Sequence, residues 1–474
     1  MSATLELLPG LHLSPLPPPR PRPAPARGPA DGPVDPAEEA ALRFSGIAAS
    51  AVHPFEVAAA IEADGVTDRQ VQRDYGRMDA FELAEELYAD TPRDYPEPEP
   101  VPSPWNAPLS ASLLRGLVYA LPGLAFPLGR PLLRGPADAG GLPHGTFALA
   151  ASLLLCWGWN QGLAHRTHLW LGRGRYRAAE QGLRRGVAGC AVLGTAGALL
   201  AALCAGRDFG AVLLFCAGQS LYMGASCVLL VLGCELGLLC ALAPAALGGA
   251  AVLAGLLPAT TTLSSLLLCT VVLVVRRARK ALRSCGDRGD EEDGDDRPPA
   301  LLASLPHGLF GLAMALLTLG TALRGSHVDV APTIALTLSM GPAEWLLYDY
   351  RRRIHHALRA AGSSRGFALR SVHSLMLGLG SYLGILTGLG AVLGVLLVGM
   401  PFGSQLADLL PLGAAVWTAL LLQALGSAWT AAGICTPAAA ATLAGIGEAA
   451  VGGVAAVLLL LIACATLGRA TVHR

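Results

Sequence analysis

From Ser112 to Leu467 the chain passes through one long apolar segment after another, and this succession limits its fold more than any motif does. Each run is long enough to cross about 30 Å of hydrocarbon. Lipid offers no water to an unpaired N–H or C=O, so a spanning segment must be a helix or a strand of a closed barrel. These runs are too long and too unalternating for strands, which leaves an all-α polytopic bundle. With 53% hydrophobic and 14% charged residues, the chain also lacks the polar material to coat one large soluble globule.

The hydropathy pattern predicts spans near 112–134, 146–165, 187–206, 210–232, 236–257, 259–275, 301–323, 330–350, 372–400, 409–434 and 437–467, eleven in all. Flanking segments divide the chain further. Residues 1–35 read as a disordered, proline-rich arm without the apolar core of a cleavable signal. Residues 36–91 read as a small acidic helical domain, and 92–108 as a stiff proline linker that delivers Trp105 to the interface. A first transmembrane bundle covers 109–275, a charged cytoplasmic loop 276–300, and a second bundle 301–474. That central loop reads either as the joint between two halves or as a solvated linker.

Net formal charge is zero, but the signs are segregated. Arginine-rich stretches, 166–185, 276–283 and 351–370, follow the second, sixth and eighth predicted spans, which places them on one side. The positive-inside rule makes that side cytoplasmic, together with the N-terminus, in the plasma membrane. An eleven-span count then leaves the tail GRATVHR outside, where its arginines fit poorly.

In the N-terminal domain Phe55, Ala58 and Ile61 share a helical face that stops at Gly65, a C-terminal cap. Thr67 caps a second helix through Tyr75, and Asp79 a third whose core set is Phe81, Leu83, Ala84, Leu87 and Tyr88. From Phe55 to Asp90 ten acids face three arginines, which excludes nucleic acid as a partner and suits docking of a cytosolic protein.

Polar residues inside the apolar runs are the functional candidates. Glu448 sits near the centre of the last run, where an acid at a helix centre costs about 2.5–3.5 kcal/mol. It is expected to contact substrate or couple protons, or to be a protonated carboxyl hydrogen-bonded to a neighbouring helix. Glu344, Asn160, Gln161, Gln219 and Gln423 are candidates to line a cavity open to the cytoplasm, with an arginine rim that either favours anionic head groups or phosphates or only fixes topology. Asp349 reads as an interfacial ion pair with Arg351 to Arg353. Glycines 378, 380, 384, 388, 390 and 394 form a small-residue ridge for a neighbouring helix. The eleven cysteines lack metal spacing and read as small buried hydrophobes. No nucleotide-binding loop, metalloprotease or serine-nucleophile motif occurs, so no cofactor, metal or catalytic residue is expected. Three classes of function fit these residues: a transporter, a non-transporting scaffold or sensor whose acidic N-terminal domain binds a cytosolic partner, and, third, a membrane-embedded transferase.

The segment 49–133, with HPFEVAAAIEADGVTDRQV, YGRMDAFELAEELY and PWNAPLSASLLRGLVYALPG, resembles the N-terminal region of uncharacterised multi-pass membrane proteins of actinomycetes, which implies a membrane location and no activity. Two helical halves with basic loops after spans two and eight resemble the multidrug/oligosaccharidyl-lipid/polysaccharide exporter class. That likeness implies flippase-like movement of a lipid-linked or amphiphilic, polysaccharide-related substrate. In that class each half has six spans, whereas five are counted here in the second. At a fixed offset the stretches from Trp157 and Trp345 share Trp157/Trp345, His168/His356 and Gly174/Gly362, so no residue role is carried over.

Overall fold

The structure, a computed structural model, describes residues 36–92, 108–133, 144–205, 210–258, 263–290, 298–324, 330–360, 363–395 and 406–469. The expected proline-rich arm, nearly all of the linker and residues 291–297, most of the acidic half of the central loop, lie outside them. No strand forms among the described residues, and Arg175 and Asp290 make one isolated bridge. Contacts separate two units, His12–Ser103 and a helical bundle within Pro104–Arg474.

The first unit holds α1 (Pro36–Ser50), α2 (Pro54–Ala63), α3 (Asp68–Gln70) with a π turn to Tyr75, and α4 (Ala80–Asp90). Its caps follow local chemistry. Asp79 accepts from the N–H groups of Phe81 and Glu82 at 3.0 and 2.9 Å. Gly65, at φ 84°, closes α2 by donating to Glu62 O while Val66 donates to Ile61 O. The core comprises Phe44 and Ala48 of α1 with Val57, Ala58, Ile61, Val71, Leu83, Ala84 and Leu87. Helix α1 is a finding, since sequence reading starts the helices at α2. Two expected core residues are corrected: Phe55 and Phe81 are 59% and 46% exposed and meet edge to face at 5.6 Å. Val57 takes the buried place that spacing assigned to Phe55.

The second unit holds twelve long helices among the described residues: α5 (Leu109–Gly129), α6 (His144–Leu171), α7 (Tyr176–Ala205), α8 (Gly210–Val231), α9 (Glu235–Leu253), α10 (Ser265–Gly286), α11 (Leu301–Arg324), α12 (Val330–Ala360), α13 (Ser364–Leu393), α14 (Leu406–Ala424), α15 (Ala428–Leu443) and α16 (Glu448–Leu467). Eight, α5, α7, α8, α9, α11, α13, α14 and α16, are long and apolar enough to cross a membrane, the architecture of a multi-pass membrane protein. The eleven expected runs differ from this in two ways: 146–165, 259–275 and 330–350 fall on α6, α10 and α12, which are not among the eight, and the last two runs resolve into three helices. The breaks fall at glycines whose backbone is left-handed, Gly426 at φ 87° and Gly445 at φ 94°. Hydropathy averaged over alanine and glycine does not register such breaks.

Leu467, at the end of α16, accepts a hydrogen bond from Ser371 near the start of α13 at 2.8 Å, so α16 ends beside a basic helix start. Long arginine-rich stretches expected as loops are helix ends instead. Helices α7 and α13 have 30 residues each, about 45 Å at 1.5 Å per residue, against about 30 Å of hydrocarbon. The end of α10 meets the start of α7: Cys285 donates to Tyr176 O, and the Asp290 carboxylate accepts from Arg177 N–H at 2.8 Å.

Helix packing repeats. In the first six helices α5 packs on α9, α6 on α7, α7 on α8, and α10 on both α8 and α9; in the second six α11 packs on α15, α12 on α13, α13 on α14, and α16 on both α14 and α15. Among the described residues two main contacts join the sets, α5 with α12 and α6 with α11, and exchanging each helix for its counterpart turns one into the other. Short sequence echoes accompany this. Ala111-Ser112-Leu113 and Gly116-Leu117 on α5 recur as Ala303-Ser304-Leu305 and Gly308-Leu309 on α11. Helix α9 follows Leu232-Gly233, contains Pro244 and ends at Ala254-Gly255, while α15 follows Leu425-Gly426, contains Pro437 and ends at Ala444-Gly445. All four of these glycines have positive φ.

Candidate functional site between the two helix sets

Both joining contacts are built on a pair of glycines. A Cβ on Gly116 of α5 would lie 2.9 Å from the Gly341 Cα of α12, and one on Gly158 of α6 would lie 3.1 Å from the Gly308 carbonyl of α11. Backbones approach this closely only where neither residue carries a side chain. The expected ridge on α13 is corrected here: Gly380, Gly384 and Gly388 have nothing within 4 Å, and Gly378 meets the Trp417 ring rather than a backbone.

Beside each crossing, equivalent positions carry polar side chains. Arg115 precedes Gly116, and His307 precedes Gly308. One turn and two turns beyond Gly341 stand Glu344 and Tyr348, and beyond Gly158 stand Gln161 and His165, residues that share one helical face. On the α5–α12 side, Arg115 pairs with Glu344 through Nη1, while its Nη2 and Nε reach Oε1 of Glu235 at 2.8 and 3.2 Å. All three side chains are largely covered, at 15%, 23% and 15% exposure for Arg115, Glu344 and Glu235. Glu235 opens α9, where the positive end of the helix dipole favours a carboxylate. On the α6–α11 side, His165 and His307 stack with centroids 3.6 Å apart, and His165 Nδ1 shares a 3.0 Å hydrogen bond with Ser304 Oγ. Asn160 Oδ1 and His307 Nδ1 are buried without a hydrogen-bond partner among the described residues.

The arrangement has a simple charge count. Two carboxylates face one guanidinium, so full ionisation leaves one uncompensated negative charge and a single proton neutralises the cluster. Of Arg115's two ion pairs, the one with Glu344 links the two helix sets, and the one with Glu235 lies within the first. Helix α15, counterpart of α9, begins at Ala428 where α9 has Glu235, so the second crossing has no equivalent acid at that position.

The other residues singled out by sequence occupy separate places. Asn160 and Gln161 lie on α6, and a Cβ on Gly311 of α11 would lie 2.5 Å from Gln161 Cγ, so Gln161 packs across the joint. Gln219 sits on α8 and Gln423 in the last turn of α14, helices that do not form the two joints. Glu448 is not at a span centre: it opens α16 after the turn through Gly445 to Gly447. Asp349 is buried and pairs with Arg352 at 2.5 Å and with Arg353, while Arg351 donates to Ala424 O at 2.8 Å instead of joining them. Six cysteines are buried, but Cys204, Cys240 and Cys269 are exposed.

Sequence reading found Glu344 and missed Arg115 and Glu235. Both lie at the start of an apolar run, where a charge reads as an interfacial flank. The available signal was the paired Ala-Ser-Leu and Gly-Leu echo, which places Arg115 and His307 in register. Comparing the stretches after Trp157 and Trp345 at a fixed offset aligned the wrong positions. No family model, curated protein or solved structure matches this chain.

Proposed function

We propose that this chain is a plasma-membrane transporter of flippase type, with its N-terminal helices in the cytoplasm, moving a lipid-linked or amphiphilic, saccharide-bearing substrate by alternating access. The observation that carries this reading is the recurrence of one packing pattern in two sets of six helices joined by exchanged contacts. Two like units that meet through narrow glycine crossings can rock against each other without unpacking their own cores. Six and six is also the count of the multidrug/oligosaccharidyl-lipid/polysaccharide exporter class, and kinship with that class, like kinship with the actinomycete membrane proteins, belongs to the same proposal.

In this reading Arg115 and Glu344 tie the sets together. A proton arriving on Glu344 removes the charge that holds Arg115 across the joint, leaves Arg115 with Glu235, and frees α12 from α5. Glu448, Asn160, Gln161, Gln219 and Gln423 remain candidates for substrate or proton contact. A deletion strain is expected to accumulate lipid-linked material, with wild type but not Glu344→Gln restoring the normal profile. An unchanged lipid profile in the deletion strain sinks the reading.

A second reading has its own support. Phe55 and Phe81 form an exposed aromatic pair on an acidic helical unit, the kind of surface that recruits a cytosolic protein to a membrane scaffold. Removal of residues 36–90 separates the two: a scaffold loses its phenotype, and a transporter keeps its flux.

A further inference from the structure

We propose that the cleft between the end of α12 and the start of α13 binds the phosphate headgroup of an anionic membrane lipid, at a site separate from the joints between the helix sets. The cleft has a volume of about 460 Å³ and is lined by Arg353, His356 and Ala357 from α12 and by Leu369, Arg370, His373, Ser374 and Leu377 from α13. Two arginines, two histidines and a serine thus stand around a cleft whose wall is mostly apolar, and no carboxylate is among its lining residues.

The chemistry is that of a phosphate site with an apolar flank. Guanidinium groups present planar forks of N–H donors that match phosphate oxygens, and they remain charged at any physiological pH. Asp349 pairs with Arg353, and Arg370 Nη1 donates to the Ala360 carbonyl at 3.1 Å. These bonds hold the two long side chains near the cleft, and a guanidinium has five donors, so each keeps capacity for an incoming anion. Leu369 and Leu377 are 65% and 46% exposed on the same helix as Arg370 and His373. A soluble anion has no use for such a wall; an acyl chain does. Basic pockets between helix ends where they leave the bilayer are sites of this type.

The test uses the full-length chain in detergent, titrated separately with a short-chain phosphatidic acid, the matching phosphatidylcholine and inorganic phosphate, and reads the rise in unfolding temperature. Phosphatidic acid is expected to stabilise, and the other two not at the same concentrations. Arg370→Gln with His373→Gln is expected to weaken that response about tenfold. Because Arg370→Gln also removes the bond to Ala360, a second variant, His356→Gln with His373→Gln, keeps both arginines and is expected to show a smaller loss with an unchanged lipid-free unfolding temperature. Equal stabilisation by phosphatidic acid and phosphatidylcholine overturns the proposal. So does inorganic phosphate acting as well as the lipid, which makes this a soluble-anion site, or both variants responding like wild type. None of these outcomes depends on transport, so failure here leaves the transporter reading standing and failure of transport leaves this site standing.

Discussion

Arg115 holds two carboxylates at once, and its partners differ in what they connect. Removing the arginine leaves two covered acids without compensation, a change that costs about 3–5 kcal/mol for a buried pair. Arg115→Ala is therefore expected to lower unfolding stability in detergent by that order, and Glu344→Gln by much less, because Glu235 retains the guanidinium. If the two variants unfold alike, the shared-arginine description is wrong. On the transporter reading Glu344→Gln also removes the proton dependence of flux, whereas Glu235→Gln retains it, measured in proteoliposomes with an imposed pH gradient.

Single residues in the N-terminal unit obey simpler rules. Arg77 forks onto Glu86 at 2.5 and 2.6 Å, and those hydrogen bonds hold the Glu86 carboxyl below its ordinary value of 4.5. A depressed folded value means the pair stabilises above the ordinary carboxylate range and stops doing so as pH falls through the lowered value. Both side chains are more than a third exposed, so solvent screening limits the effect to a few tenths of a kcal/mol. Glu86→Gln should accelerate proteolysis within 36–92 slightly at neutral pH, and this difference from wild type should vanish in acid.

Among the elements, the glycines separate what spacing says from what packing decides. A Cβ on Gly249 of α9 would fall 1.9 Å from the Leu124 carbonyl of α5, a backbone atom that cannot step aside. Gly249→Ala is expected to cost about 1–3 kcal/mol by forcing α5 and α9 apart. Gly380→Ala and Gly384→Ala, with open space around them, are expected to stay within about 0.5 kcal/mol of wild type in the same unfolding assay. In sequence the α13 glycines look the better packing motif, because their spacing is regular. Regular spacing fixes which helix face they share; whether a neighbour sits on that face is set by other helices.

Element ends were more legible. Asp79, Thr67 and Gly65 act within a few residues of themselves, and each appears where its chemistry placed it: the Thr67 N–H donates to Gln70 Oε1 at 2.8 Å, as in a capping box. Core faces of short helices were less so, since a helix of three turns can rotate by one position at little change in apolar count. That rotation is the difference between Phe55 inside and Val57 inside.

For the whole molecule, the transporter reading requires the two sets of six helices to move against each other. A Cβ on Gly162 of α6 would lie 3.8 Å from Gly308 Cα of α11, near the reach of a disulfide. Cysteines at 162 and 308, in a background where Cys204, Cys240 and Cys269 are serine, are expected to cross-link on oxidation. The cross-linked protein should lose flux and regain it on reduction. Flux that survives a complete cross-link rules out rocking at this joint.

The sequence by itself determined that the chain is helical and built for a membrane, because the length and apolarity of a run are local properties and lipid leaves its backbone no other solution. It also determined the order and rough place of most helices, though not the ends of the long ones, and it singled out Glu344 as an acid deeper in its run than Asp349, while Glu448, the acid it set at a span centre, opens α16 instead. Only the tertiary structure decided which polar residues meet. Arg115, Glu235 and Glu344 lie far apart in the chain, on α5, α9 and α12, and become one cluster because glycines let these helices approach closely, α5 and α12 at Gly116 and Gly341, α9 and α5 at Gly249. Hydropathy averages along the chain, and what joins these residues acts across it.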